Sequence, residues 1–294
     1  MPGRLPFAIL MLALSVWVTA PATARRSAAA HAGAAARRAE HRAGRRRQRT
    51  AHAGHRDGRP PGARAGVATP AQASRIFAEA DRRHDRYGFS SFGGALLPAY
   101  SQGFFRHAAL HFEYAYQNGG QWDWHAGPFL VAEFARGRSA EADRKLTGIA
   151  ERVARVDGLY EWTTRLSGSG VGSRDYAGSA ASLAAALVDG SFGLALRGDR
   201  LDVRARACAT TAAIDLHQPV TTMRVGYRCD TTADRTVLEV TTEGVRGGQL
   251  CVLAPAVAVG ATATDDGQPA KVTIDRVGRE INACLDTTVG RAPD

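Results

Sequence analysis

Tyr116-Gln117-Asn118-Gly119-Gly120-Gln121-Trp122-Asp123-Trp124 is the stretch on which the reading of this chain turns. Its nine positions hold three aromatic rings, three side-chain amides, one carboxylate and a Gly-Gly pair. Inside a helix each glycine costs about 1 kcal/mol, so the pair marks a turn or a close backbone approach. Trp122 and Trp124 carry N–H groups that need partners when buried. Gln117, Asn118 and Gln121 each donate and accept through one side chain. Flat apolar rings beside two-way amides suit a sugar, whose C–H faces stack and whose hydroxyls donate and accept. An aromatic loop packed on its own domain is the plainer alternative.

Working outward, helical signals dominate residues 67–200. A helix is expected over about 122–136, ended by Gly137. A second starts with Ser139 as its cap and runs to about Val156, with Leu146, Ile149, Val153 and Val156 on one stripe. The two-residue joint Gly137-Arg138 makes these an antiparallel pair. Upstream, Thr69-Pro70-Ala71-Gln72 combines a cap, a proline at the first helical position and a capping-box glutamine. The helix it opens reaches about Arg86 and stops at Gly88, with Ile76, Phe77 and Ala80 on its apolar face. Residues 89–115 mix Phe89, Phe92, Tyr100, Phe104 and Phe105 with turn residues, which indicates a long ordered loop. After Gly158 comes a Gly/Ser-rich loop over 159–175, then a helix over about 176–188. That last helix is nearly all small or apolar, a pattern that implies burial on most sides.

From Leu201 the texture changes. Leu201, Val203 and Ala205 alternate with other residues, as do Met223, Val225 and Tyr227, and then Leu238 and Val240. Residues 250–253, 271–274 and 281–285 are further short strands, with turns at Gly247-Gly248 and Asp266-Gly267. The expected fold class is therefore α then β, ending in an antiparallel β-sandwich over 201–294.

Charge is unevenly placed. Residues 1–66 hold thirteen arginines against Glu40 and Asp57, so this arm accounts for the whole of the chain's +10. Residues 25–66 lack apolar periodicity and interleaved aromatics. The segment reads as a disordered Arg/Ala-rich linker, without the stacking residues of a specific nucleic-acid site. Arg4, an apolar core over residues 7–18 and Ala22-Thr23-Ala24 match a signal peptide over 1–24, which points to secretion. The apolar run is shorter than the ~20 residues a membrane span needs, so no stable membrane anchor is expected. Cys208, Cys229, Cys251 and Cys284 form no Cys-x-x-Cys pair, which argues against a zinc site. An even count in an exported chain favours two disulfides. Three pairings are open; the sequence neighbours Cys208–Cys229 and Cys251–Cys284 are preferred over the others and over buried free thiols.

The 116–124 motif, opening a helix, resembles the Tyr-x-Asn-Gly-Gly-x-Trp signature of six-hairpin glycosidases. These are (α/α)6-barrel enzymes such as glucoamylases, trehalases and the glucosidase part of glycogen-debranching enzymes. Leu159-Tyr160-Glu161-Trp162, followed by a Gly/Ser loop and Tyr176-Ala177-Gly178-Ser179-Ala180, resembles their late barrel segment. The resemblance covers about 69–200, and the trailing β module is similar to that of bacterial members. It implies a partial (α/α) toroid over 67–200, because a full ring needs at least about 180–210 residues. It also implies Glu161 as the general base of an inverting hydrolase. Tyr116, Asn118, Gln121, Trp122, Asp123 and Trp124 are then substrate-binding, with Tyr160 and Trp162 flanking the base. In the family the general acid lies in the part that precedes the region matched here, so the resemblance implies an incomplete barrel lacking the general-acid region.

Carbohydrate is thus the expected partner, with a second chain or self-association completing the helical layer. No cofactor and no metal are expected: His107 and His111 are four apart, but the glutamate of a zinc-protease helix is missing. A non-catalytic carbohydrate-binding or surface-interaction protein with a basic arm is the alternative function.

Overall fold

The computed structural model describes residues 68–197, 200–206, 212–218, 223–231, 236–243, 247–254, 263–265 and 268–288, all within one compact unit, Pro60–Asp294. The expected signal sequence, the whole Arg-rich arm and Cys208 lie outside the described residues. Among the described residues no helix is long and apolar enough to cross a membrane.

Helices come first. α1 (Pro70–Tyr87) begins with the capping box: the Thr69 hydroxyl accepts from the Gln72 N–H, and the Gln72 side chain accepts from the Thr69 N–H at 2.8 Å. Gly88 ends it in the left-handed conformation. Ala73 and Phe77 are its buried residues, whereas Ile76, expected on the apolar face, is 54% exposed. α2 (Asp123–Ala135) and α3 (Ser139–Val156) bury Ala126, Leu130 and Phe134 against Ala142 and Ile149, with Phe92 and Ala186 completing that core. Under it lies a charged cluster. The fully buried Glu133 accepts from Lys145 Nζ at 2.7 Å and Arg138 Nε at 3.1 Å, while Asp81 of α1 pairs with both cations. These bonds join three helices through two carboxylates and two cations.

α4 (Ala177–Ala185) continues as a wide π turn over Ala186–Ser191. Pro128 inside α2 has no N–H to give, which leaves the Trp124 carbonyl without its helical donor. The Ser182 hydroxyl of α4 donates to that carbonyl at 2.8 Å. Gly127 lets the two helices approach, since a Cβ there would stand 2.2 Å from the Ser182 backbone oxygen. The expected burial of this last helix on most sides is corrected. Only Ser179 is buried within α4, and Ala177, Ala181, Ala184 and Leu187 face outward. Small residues here serve close approach to α2 on one side and leave the other side open.

The second half is β. A small hairpin, β1 (Trp162–Thr163) with β2 (Gly170–Val171), precedes it within the 159–175 loop. Five strands form one sheet in the order β11 (Val272–Val277), β12 (Glu280–Thr288), β8 (Gly247–Ala254), β4 (Arg200–Ala205) and β3 (Leu194–Arg197). Three more, β5 (Ala212–Gln218), β6 (Met223–Thr231) and β7 (Thr236–Glu243), form a second. β9 (Ala263–Asp265) and β10 (Gln268–Ala270) pair separately. Leu201 and Val203 of β4 and Val225, Tyr227 and Cys229 of β6 share one core with Phe192. The expectation of purely antiparallel pairing is corrected at one place: β4 and β8 run parallel. The chain leaves β4, builds β5–β7 as a separate sheet and returns, and an excursion of that length permits a parallel neighbour. Alternation identifies strands but carries no information on their direction.

Cys251 and Cys284 sit opposite each other in the β8–β12 register and are joined by a disulfide, with Cα atoms 4.1 Å apart. Cys229 is also disulfide-bonded. The halves interlock where the β11–β12 turn meets the α2–α3 joint. Ser139 is not the cap of α3 but its first residue, and Arg138 at the cap position makes no side-chain cap bond. The Ser139 N–H donates instead to Glu280 Oε1 at 2.6 Å, a cap supplied across 141 residues of sequence.

Replacing Glu280 with alanine is expected to lower stability by about 1 kcal/mol, the usual worth of an N-terminal cap. The measurement is the urea midpoint at unchanged slope. A midpoint equal to that of the parent would show that the β hairpin does not hold α3.

Candidate functional site

Three separate segments converge on residues 121 and 122. Trp122 and Gly94 exchange backbone hydrogen bonds at 2.8 and 2.9 Å, and Gln121 and Thr163 exchange two more at 3.0 and 2.8 Å. A short middle strand therefore joins the aromatic loop before it to the Glu161 hairpin beyond it. The two stretches singled out in the sequence are therefore neighbours in the fold.

The loop entering that strand is tightly turned. Tyr116 is left-handed (φ 42), an uncommon state for a bulky residue that costs about 1–2 kcal/mol. Its carbonyl oxygen accepts from the Gly120 N–H at 2.8 Å and from the Trp122 indole N–H at 3.1 Å. Gly120 leaves room for the next layer, since a Cβ there would come within 2.8 Å of the Trp162 ring. Tyr116 and Trp122 are 5.1 Å apart between ring centroids, Tyr116 and Trp162 6.3 Å, and Trp122 and Trp124 6.4 Å. Trp124 stacks on His125 at 3.8 Å.

Beside these rings lies a cleft of about 390 Å³, lined by Gly94, Ala95, Leu96, Gln117, Trp122, Trp124 and His125. Trp124 is 41% exposed, so part of its ring is open to a ligand. His125 titrates below the ordinary 6.5 because burial disfavours its charged form. Its imidazole is neutral at pH 7, with one nitrogen to donate and one to accept.

Glu161 is half-buried at the edge of this cluster. Its Oε1 accepts from the Tyr116 hydroxyl at 3.4 Å and its Oε2 from the Ser173 N–H at 3.4 Å, while its own N–H donates to the Ser173 carbonyl at 2.9 Å. Gly172 passes beneath it in a left-handed conformation (φ 77), and a Cβ there would lie 2.4 Å from Glu161 Oε2. Tyr160 and Trp162, on either side, are half-buried. The Ser179 hydroxyl of α4 donates to the Tyr160 carbonyl at 3.2 Å and anchors the strand.

Three expected sugar contacts are corrected. Asn118, Gln121 and Asp123 are buried, and each is bonded to protein through at least one side-chain atom. The Asn118 amide nitrogen lies 3.0–3.2 Å from the carbonyls of Tyr100, Leu110 and Phe112, and its oxygen accepts from the Tyr100 N–H at 2.8 Å. Gln121 donates to the Ser91 hydroxyl at 2.8 Å. Asp123 Oδ2 accepts from Arg152 Nη2 at 2.6 Å, and Arg152 Nε donates to the same Ser91 oxygen at 2.9 Å. Burial pushes the Asp123 carboxyl up, against the pull of Arg152. These side chains shape the site from beneath rather than face a ligand.

Arg152 and Ser91 escaped the sequence reading. The available signal was position: Arg152 stands three residues after Ile149, on the stripe that α3 buries. The His107–His111 pair frames a single 3₁₀ turn, Ala108–Leu110, rather than an α-helix. Among the described residues no group of three or more His, Cys, Asp or Glu could hold a metal ion.

Arg152→Met is expected to destabilise by about 3–5 kcal/mol, because it strands the buried Asp123 carboxylate. The pair Arg152→Met with Asp123→Asn is expected to recover much of that loss in thermal melts. Equal losses in the two variants would show that the ion pair does not hold the site together. No protein-family model matches the chain, and no curated protein matches it.

Proposed function

We propose that this protein recognises oligosaccharide at the Trp122–Trp124–His125 cleft and hydrolyses it with Glu161 as general base, as a relative of six-hairpin glycosidases. The four helices are then part of an (α/α) toroid, and the two sheets are the β-sandwich that follows it. The arrangement that carries this reading is the junction of Tyr116, Trp122 and Glu161. A ring cluster able to stack on a sugar face stands one hydrogen bond from a half-exposed carboxylate. Inverting hydrolysis needs a second carboxyl group about 6.5–9.5 Å away. The resemblance puts that acid in the barrel segment ahead of the part matched here, which residues 1–66, read as signal peptide and linker, do not supply. Export through the signal peptide over 1–24 and a basic linker over 25–66 belong to the same proposal.

Binding alone, without turnover, is the second reading. It is favoured by the lining of the cleft, which includes Trp122, Trp124 and His125 but not Glu161. Glu161→Gln separates the two. Loss of hydrolysis by at least about 100-fold with sugar affinity retained supports general-base catalysis. Sugar binding with no turnover in the parent chain supports the second reading. Absence of sugar binding in the parent overturns both.

His125 supplies a pH test. Its imidazole, held below the ordinary 6.5, is neutral above that value, so affinity is expected to stay flat from about pH 8 to 6.5. Below that range affinity falls as the ring protonates, and the same shift removes stability as pH falls. Affinity that changes between pH 8 and 7 would exclude His125 from the cleft's chemistry.

The outward face of α4 and the π turn after it, with Ala181, Ala184 and Leu187, is where a second chain or copy completes the helical layer in this proposal. Light scattering at micromolar concentration is expected to report an oligomer, converted to monomer by Leu187→Lys. A monodisperse monomer of the parent chain would remove that partner.

A further inference from the structure

We infer that an internal water molecule is bound beneath Trp122, between Gln121, Asp123, Arg152 and Thr163, and that it ties the 116–124 segment to the Glu161 hairpin. Each of the four residues is at most 1% exposed. Each also carries one buried side-chain atom with no hydrogen-bonding partner among the described residues: Gln121 Oε1, Asp123 Oδ1, Arg152 Nη1 and Thr163 Oγ1. Leaving one such atom unbonded in an interior is costly, and folded proteins meet that cost with ordered water or a ligand. Here four fall on residues that already touch one another. The site is independent of what the cleft above it binds.

Backbone geometry brings the four together. Gln121 and Thr163 exchange both backbone hydrogen bonds, at 3.0 and 2.8 Å, so their side chains share one face of the ribbon with Cβ atoms about 5 Å apart. Side chains so placed can be bridged by one water, and these two do not bond each other. Trp122 is extended (φ −121, ψ 116), which puts Asp123 on the same side as Gln121. Arg152 closes the group. Its Nε donates to the Ser91 hydroxyl at 2.9 Å, the oxygen to which Gln121 Nε2 donates at 2.8 Å, and its Nη2 donates to Asp123 Oδ2 at 2.6 Å.

Charge and hydrogen-bonding capacity identify the occupant. An anion would meet the Asp123 carboxylate, and a cation would meet the Arg152 guanidinium. The pair leaves the site neutral, so a neutral occupant fits. Arg152 Nη1 only donates, Gln121 Oε1 and Asp123 Oδ1 only accept, and the Thr163 hydroxyl does both. Water, which gives two hydrogen bonds and takes two, matches that set, and two to four polar partners are what a buried water needs. None of the four residues lines the cleft, so a sugar hydroxyl does not reach the site from there.

The test joins crystallography of the full chain with deuteron magnetic relaxation dispersion in solution. Electron density for one water is expected at about 2.6–3.2 Å from at least three of the four atoms. Relaxation dispersion then reads the residence time of that water. Thr163→Val keeps the side-chain shape and removes the hydroxyl, and it is expected to shorten the residence time about tenfold, the worth of one hydrogen bond. Thr163→Ser keeps the hydroxyl and is expected to hold the residence time near the parent value. A packing role alone would reverse that order, since serine loses the methyl group and valine does not, and that result overturns the inference. A parent structure in which Thr163 Oγ1 bonds Gln121 Oε1 directly, with no density between them, overturns it as well. Should the variants fail to fold, the density in the parent chain decides.

Discussion

Four backbone hydrogen bonds, two between Gly94 and Trp122 and two between Gln121 and Thr163, are the constraint on which the site depends. They make residues 121 and 122 the middle of a three-segment ribbon. Successive side chains of an extended segment point to opposite faces. Gln121 therefore goes down, beside the buried Thr163, to the Ser91 hydroxyl, while Trp122 goes up to Tyr116 and the cleft. Trp162, one residue before Thr163, rises on the same side as Trp122 and meets Tyr116. A shift of one residue in this register would exchange the buried amide for the indole. The polar and aromatic residues of the motif, interleaved in sequence, are thereby sorted onto two faces.

The buried face has its own logic. A buried ion pair such as Arg152–Asp123 is weak evidence for stability, because desolvation offsets most of the attraction. Its geometry nevertheless specifies an arrangement. One serine oxygen accepts from both Arg152 and Gln121, and the same arginine reaches Asp123 at the first turn of α2. These bonds tie α2, α3 and the 89–94 loop to one another. An apolar filling of equal volume would tolerate sliding, and sliding here would move Trp122 and Trp124 relative to Glu161.

What the sequence disclosed and what it hid divide along the same line. Local signals were legible: Thr69 and Gln72 mark the start of α1, Gly88 its end, and alternation marks most strands. The coincidence of the 116–124 motif with Glu161 was legible only through resemblance, since nothing in 45 residues of spacing says that Tyr116 meets that carboxylate. Asn118 and Asp123 were misread because an amide or a carboxylate looks the same in sequence whether it faces a ligand or a buried carbonyl. Partners distant in sequence decided the matter: Tyr100 and Leu110 for one, Arg152 for the other. The cap that Glu280 lends to α3 was illegible for the same reason. Ser139 has the composition of a cap, and only the approach of a hairpin 141 residues away supplies a different acceptor.

Tyr116 shows how this scaffold bears on chemistry. Its left-handed backbone is an unfavourable state held by two bonds to its carbonyl oxygen, and that conformation directs its hydroxyl to Glu161. An ionised carboxylate has about four lone-pair sites. The Tyr116 hydroxyl and the Ser173 N–H each take one, both at 3.4 Å, which is long for a hydrogen bond to a carboxylate. Such contacts orient the group without consuming its capacity to accept. The proposed general-base role of Glu161 requires that combination: a fixed direction, and lone pairs available to a water. A carboxylate gripped at 2.6 Å by a guanidinium, as Asp123 is, has direction without availability. The two acids are thus separated by their partners into one locked in a buried ion pair and one, half-exposed, held only by two long contacts.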